Sequence, residues 1–102
     1  MSDTIFEKQG STLTVRPKGR LDFASSPVLE KELQEHMEGI QKIIMDFTDI
    51  EYISSGGLRV LFAAEQMLEE RGGSMKVIHV NDYIIEIFEM VGFMAVVTVE
   101  RD

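Results

Sequence analysis

Cysteine and tryptophan are absent from the chain, and only two prolines interrupt it. Without cysteine there is no disulfide framework and no thiolate metal site. Basic residues are scarce: ten Lys and Arg stand against eighteen Asp and Glu, for a formal net charge of -8. Such a surface repels phosphate backbones, which disfavours direct DNA or RNA binding and suits a basic protein partner. No apolar run is long enough to span a bilayer, so no membrane role is expected. The opening "MSDTIFEKQG" lacks a basic stretch followed by an apolar one, so it does not read as a secretory leader. The two histidines, His36 and His79, lie far apart without ligand-like spacing.

What is present suits one folded unit. The chain has 102 residues, 44% of them hydrophobic, enough for a real core. Nothing in it reads as a linker, a repeat or a low-complexity tract. The expectation is a soluble, cytoplasmic, acidic single domain over residues 1–102.

The hydrophobic pattern alternates between strand and helix periods. "TIFEKQGSTLTVRPKGRLD" reads as two strands joined at Gln9-Gly10-Ser11 into an antiparallel hairpin, with Leu13 and Val15 alternating against Thr12, Thr14 and Arg16. "SSPVLEKELQEHMEG" reads as a helix capped by Ser25 or Ser26, with Pro27 in its first turn, a stripe of Leu29, Leu33 and Met37, and Gly39 at its end. "QKIIMDFT" is a strand. The longest helix runs from about Gly56 to Arg71, with Leu58, Leu61, Phe62 and Leu68 buried and Gly72-Gly73 as its stop. "SMKVIHV" is a strand, Asn81 or Asp82 caps a short helix, and "AVVTV" is a last strand. The order β-β-α-β-α-β-α-β predicts a mixed, mostly parallel sheet with its helices mainly on one face.

On this reading "DIEYISSGG" is the loop from the carboxyl end of a strand into a helix, the edge of an open α/β sheet where ligands usually bind. Ser54 or Ser55 then sits at a helix N-terminus, where free N–H groups favour an anion. The same residues also make an ordinary cap and turn, since serine is a preferred N-cap. There is no P-loop, and "SSGG" lacks the frame of a hydrolase nucleophile elbow. A nucleophilic serine needs a base, and neither histidine is placed to serve. Asp22, Asp46 and Asp49 stand near strand ends, either as a hard-cation cluster or as loop and turn acids. The methionines read as core filler.

The stretch from "IIMDFTDIEYISSGG" to "EMVGF", with "GRLDFASSPVLEKEL" before it, resembles the STAS domain family, and within it the stand-alone bacterial anti-sigma factor antagonists. The resemblance covers nearly the whole chain. It implies a regulatory binding module rather than an enzyme. In such a module the unphosphorylated antagonist binds an anti-sigma factor that is also a serine kinase, and so frees a sigma factor. Phosphorylation of one serine releases the partner, and a serine phosphatase resets the switch. No cofactor is implied for the antagonist, because ATP and magnesium belong to the kinase. Family members most often read Asp-Ser-Ser-Gly-Leu with the first serine phosphorylated. Gly57-Leu58 matches the Gly-Leu pair, which places the acceptor at Ser55, with Ser54 where the acid usually stands and as the rival acceptor. Gly56 replaces the second serine. The partner-binding set implied is Asp22, Phe23, Ser54, Ser55, Gly56, Gly57, Arg59 and Asn81. Arg59 touches partner or phosphoserine, or else pairs with exposed acids such as Glu51. Phe23 and Phe93 border the same surface or are core edges, and Asn81 borders it or caps a helix. Two further readings stay open: a STAS adaptor in a phospho-signalling assembly without a sigma factor, and a small-ligand or nucleotide-binding domain.

Overall fold

The computed structural model describes residues 3–102; Met1 and Ser2, the first residues of the expected domain, lie outside them. Seven strands and three helices follow one another as β1 (Ile5–Gln9), β2 (Thr12–Arg16), β3 (Lys18–Leu21), α1 (Ser26–Glu35), β4 (Lys42–Asp46), β5 (Asp49–Ile53), α2 (Ser55–Glu70), β6 (Ser74–Val80), α3 (Asp82–Met90) and β7 (Thr98–Arg101). The main sheet has the order β1-β2-β4-β6-β7. Only the β1–β2 pair, the hairpin around Gly10, is antiparallel.

The period of two sets this sheet. In register, Leu13 neighbours Ile43 and Ile43 neighbours Met75, while Val15 neighbours Met45 and Met45 neighbours Val77. All six are buried. The alternate row of Thr14, Ile44 and Lys76 is only partly covered. The helices cover the first row, and the second faces water with ion pairs Arg16–Asp46 and Lys76–Glu100 across it. Exposed pairs of this kind contribute about 0–1 kcal/mol each, so the buried row carries the fold.

Three readings of the sequence need correction. The segment Lys18–Leu21, taken as the tail of the hairpin, is a separate strand, β3. The half-loop Asp49–Ile53 is also a strand, β5. The two pair in parallel as a small second sheet. They are short, and their pairing partner lies some thirty residues away, beyond the reach of a local pattern. Lastly, "AVV" is not strand. Phe93–Ala95 form a 3₁₀ turn and β7 begins only at Thr98. Its apolar residues serve packing: Phe93 and Val97 are buried while Val96 is exposed.

The helix ends follow their caps. At the end of α2, the Gly73 N–H donates to Leu68 O and the Gly72 N–H to Glu69 O, with Gly72 at φ +73°. This paired closure needs a left-handed residue, which glycine supplies without steric cost. The Arg71 guanidinium then donates to the carbonyls of Met37 and Ile40 at 2.7 and 3.0 Å, tying α2 to the turn after α1. Helix α1 stops at Glu35, short of Gly39; His36 ends it and stacks on Phe6 with ring centroids 4.1 Å apart.

Phe93 resolves as core rather than surface. It is fully buried, packs edge-on against Phe62 and contacts Phe88, which in turn meets Phe47. Phe93→Ala is expected to destabilise the domain by about 3–5 kcal/mol, seen as a lower midpoint in urea unfolding. An unchanged midpoint would contradict this packing.

Candidate functional site

The small second sheet places the site. Leu21 is the last residue of β3 and pairs with Ile53, the last of β5. The Ser54 N–H then donates to Leu21 O at 2.8 Å, carrying the pairing one residue further. Two strand-to-helix loops therefore leave side by side: Asp22–Ser25 into α1, and Ser54 into α2.

The first loop is braced from within. Asp22 Oδ1 accepts from the N–H groups of Ala24 and Ser25 at 3.0 and 3.1 Å. The Ser25 hydroxyl accepts from the Asp22 N–H and donates to Arg20 O. Ser26, nearly fully buried, donates its hydroxyl to Asp22 O at 2.6 Å. Neither serine caps α1 through its side chain; the Asp22 carboxylate organises the turn instead. The Ser25 N–H is the strongest influence and lowers that carboxyl from its ordinary value; burial opposes it, and the Ala24 N–H and the Arg20 guanidinium add to the lowering. Asp22 therefore stays charged at neutral pH. Arg20 lies 3.9 Å from it and stacks over the Tyr52 ring at 4.2 Å.

The second loop divides two adjacent serines. Ser54 is the N-cap of α2, in extended conformation, and its Oγ accepts from the Gly57 N–H at 3.4 Å. Ser55 is the first residue of the helix and is exposed. Its hydroxyl makes no hydrogen bond to the described residues. The two glycines after it differ. A Cβ on Gly57 would stand 2.7 Å from Ile53 Cγ1 and 2.9 Å from Leu21 O, so the backbone of α2 is wedged directly onto the β3–β5 pair. A Cβ on Gly56 would meet nothing closer than Ser54 Oγ at 3.5 Å, ordinary contact.

Between the two loops lies an open cleft of about 390 Å³, lined by Phe23, Ser26, Pro27, Ser54, Ser55, Gly56 and Arg59. Phe23 is 91% exposed, a large apolar side chain left in water at the rim. Of the residues singled out from sequence, the cleft gathers Phe23, Ser54, Ser55, Gly56 and Arg59. Gly57 is buried beneath it, and Asp22 supports the loop that carries Phe23. Asn81 is not in the lining. Its Oδ1 accepts from the Ile84 N–H as the α3 cap, and its Nδ2 donates to Ile50 O. Arg59 makes no ion pair with Glu51 or any other described acid.

The other acids and the histidines lie elsewhere. Asp46 and Asp49 share the Arg16 guanidinium at 3.4 and 3.9 Å, apart from Asp22 and its Arg20. Burial pushes the Asp46 carboxyl up, but the Thr48 hydroxyl and N–H, aided by Arg16, bring it below its ordinary value. His79, at φ +57°, lies 3.8 Å from Asp102. Neither histidine lines the cleft, and the lining among the described residues holds no carboxylate. Two residues of the lining lie outside the set singled out from sequence: Ser26 and Pro27, which the sequence presents only as a candidate cap and a helix starter.

The sequence profile of the STAS domain family matches residues 4–102. The chain belongs to the STAS domain family. Among curated relatives, the anti-sigma-B factor antagonist of Bacillus subtilis is 26% identical over 85% of this chain and 80% of its own length. An anti-sigma factor antagonist from Mycobacterium paratuberculosis superposes with a TM-score of 0.86 over 100% of this chain and 87% of that one, at 18% identity. SpoIIAA, from Bacillus, has been solved unphosphorylated and phosphorylated. This STAS domain matches the two forms with TM-scores of 0.83 and 0.76, each at 16% identity over 94% of the chain and over 86% and 89% of SpoIIAA. At such identities the structural likeness speaks for the fold.

The contrast between the two glycines is open to test. Gly57→Ala is expected to cost about 1–3 kcal/mol in urea unfolding, because the added methyl must displace β3 backbone. Gly56→Ala is expected to leave stability unchanged or raise it by up to about 1 kcal/mol through helix propensity. Equal effects would contradict the wedge.

Proposed function

We propose that this STAS domain is an anti-sigma factor antagonist that works by partner switching. In its unphosphorylated form it binds an anti-sigma factor with serine kinase activity, which frees the sigma factor. The kinase transfers phosphate to Ser55, and the complex separates. A serine phosphatase restores the binding form. The domain acts by binding, and the ATP is the partner's. The names of its curated relatives support the antagonist reading.

One observation carries the choice of residue. Ser54 is spent as the α2 cap, whereas Ser55 stands exposed at the cleft with its hydroxyl unengaged. A phosphate there adds about -1.5 to -2 charges. The helix N-terminus tolerates that charge, so the fold need not change, while the binding face gains both bulk and repulsion. Burying such a charge against a partner without new donors costs several kcal/mol, and about 1.4 kcal/mol already changes affinity tenfold. Phe23 supplies the opposite tendency. Covering a phenylalanine side chain contributes about 1.5–3 kcal/mol, so the rim of the cleft favours a partner's apolar surface.

Tagged protein expressed in its own cells provides the test. The wild type and Ser55→Ala are both expected to capture a sigma-binding protein with ATP-dependent serine kinase activity, and only the wild type to accept phosphate. Ser55→Asp is expected to fold normally and to bind that protein at least tenfold more weakly, by titration calorimetry. Equal affinity of Ser55→Asp and wild type would refute the charge mechanism.

A further inference from the structure

Four of the five arginines in this chain are engaged. Arg16 faces Asp46, Arg20 lies over Tyr52, Arg71 donates to the carbonyls of Met37 and Ile40, and Arg101 pairs with Asp82. Arg59 alone makes no ion pair or hydrogen bond to the described residues. It is exposed, and it lines the same cleft as Ser55. The acids closest to the cleft in sequence leave it free: Asp22 turns to its own loop and to Arg20, and the first turn of α2 contains no acid. In a chain of net charge -8, an uncompensated guanidinium beside an exposed phenylalanine is a distinct feature.

The spacing gives that feature a use. Residues four apart on a helix are surface neighbours, and an acid placed N-terminal to a base at this spacing is the better of the two orders. Ser55 and Arg59 stand in that order, with the acid missing until Ser55 is modified. We propose that Arg59 is the built-in counter-ion of the phosphorylated state: a phosphate esterified to Ser55 Oγ is ion-paired by the Arg59 guanidinium. This rests on Ser55 as the acceptor. The planar guanidinium fork matches two phosphate oxygens, where a lysine offers only a point charge. Phosphorylation then changes the face twice. It adds negative charge, and it withdraws from the partner the Arg59 guanidinium, the one cation in the cleft's lining among the described residues. The unmodified form presents a cation next to Phe23, suited to a partner surface that pairs a carboxylate with an apolar patch; the modified form holds that cation to itself.

The test uses the full chain with phosphoserine installed at position 55 by genetic encoding, so no kinase is needed. Phosphorus NMR follows the second ionisation of the phosphate against pH in this protein and in its Arg59→Gln and Arg59→Lys variants. The position is exposed, so the variants are expected to fold, which far-ultraviolet circular dichroism verifies. The midpoint is expected to lie lower with Arg59 than with Arg59→Gln by about 0.3 pH unit or more, with Arg59→Lys in between. That gap is expected to shrink in 1 M salt, where the screening length falls to about 3 Å. Equal midpoints for Arg59 and Arg59→Gln would overturn the pairing. If cellular protein nonetheless carried phosphate on Ser55, that result would remove Arg59 from the switch and leave the switch itself. Separated midpoints in a chain that cells never phosphorylate would do the reverse.

Discussion

The parallel pairing of β3 with β5, carried one residue further by the Ser54 N–H on the Leu21 carbonyl, is the constraint on which the candidate site depends. It brings together two loops some thirty residues apart in sequence. It sets where α2 begins, because Gly57 must lie against Leu21 and Ile53 with no room for a side chain. Once the start of α2 is set, the roles of the two serines follow. The residue still on extended backbone becomes the cap, and the next becomes the exposed first residue of the helix. Starting α2 one residue later would make Ser55 the cap and take the exposed first position from it.

This arrangement separates rigidity from reactivity. The side chains of Asp22, Ser25 and Ser26 are tied into a local network, and Ser54 is tied to Gly57. What remains unengaged is a hydroxyl, a guanidinium and a phenylalanine, all at one cleft. A surface of this kind can change partner affinity by charge alone, since the scaffold has no need to move. Elsewhere Asp46 and Asp49 hold Arg16 on the open sheet face, and Lys76 holds Glu100. None of these groups lines the cleft.

Much of this was legible in the sequence, for identifiable reasons. The alternation of Leu13 and Val15, and of Ile43 and Met45, specified strands with one wet face, because the period of two admits one inward row. The helices showed through their stripes and glycine stops. The β3–β5 sheet did not show, since strands of four and five residues that pair across a helix and another strand leave no local signature. "AVVTV" misled because a short apolar run does not distinguish a strand from a buried turn. At the site, the pattern pointed to the stretch from Ser54 to Arg59. The opposite fates of Phe23, in water, and Phe93, in the core, depended on contacts that composition does not encode. Nor did spacing alone separate cap from exposed hydroxyl. Only the close approach of Gly57 to β3 did that.

The division between Ser54 and Ser55 is the central claim, and peptide mass spectrometry on protein isolated from its own cells under several growth conditions tests it most directly. A single phosphate mapped to Ser55 is the expected result. Phosphate on Ser54, or none under any condition, would contradict the account.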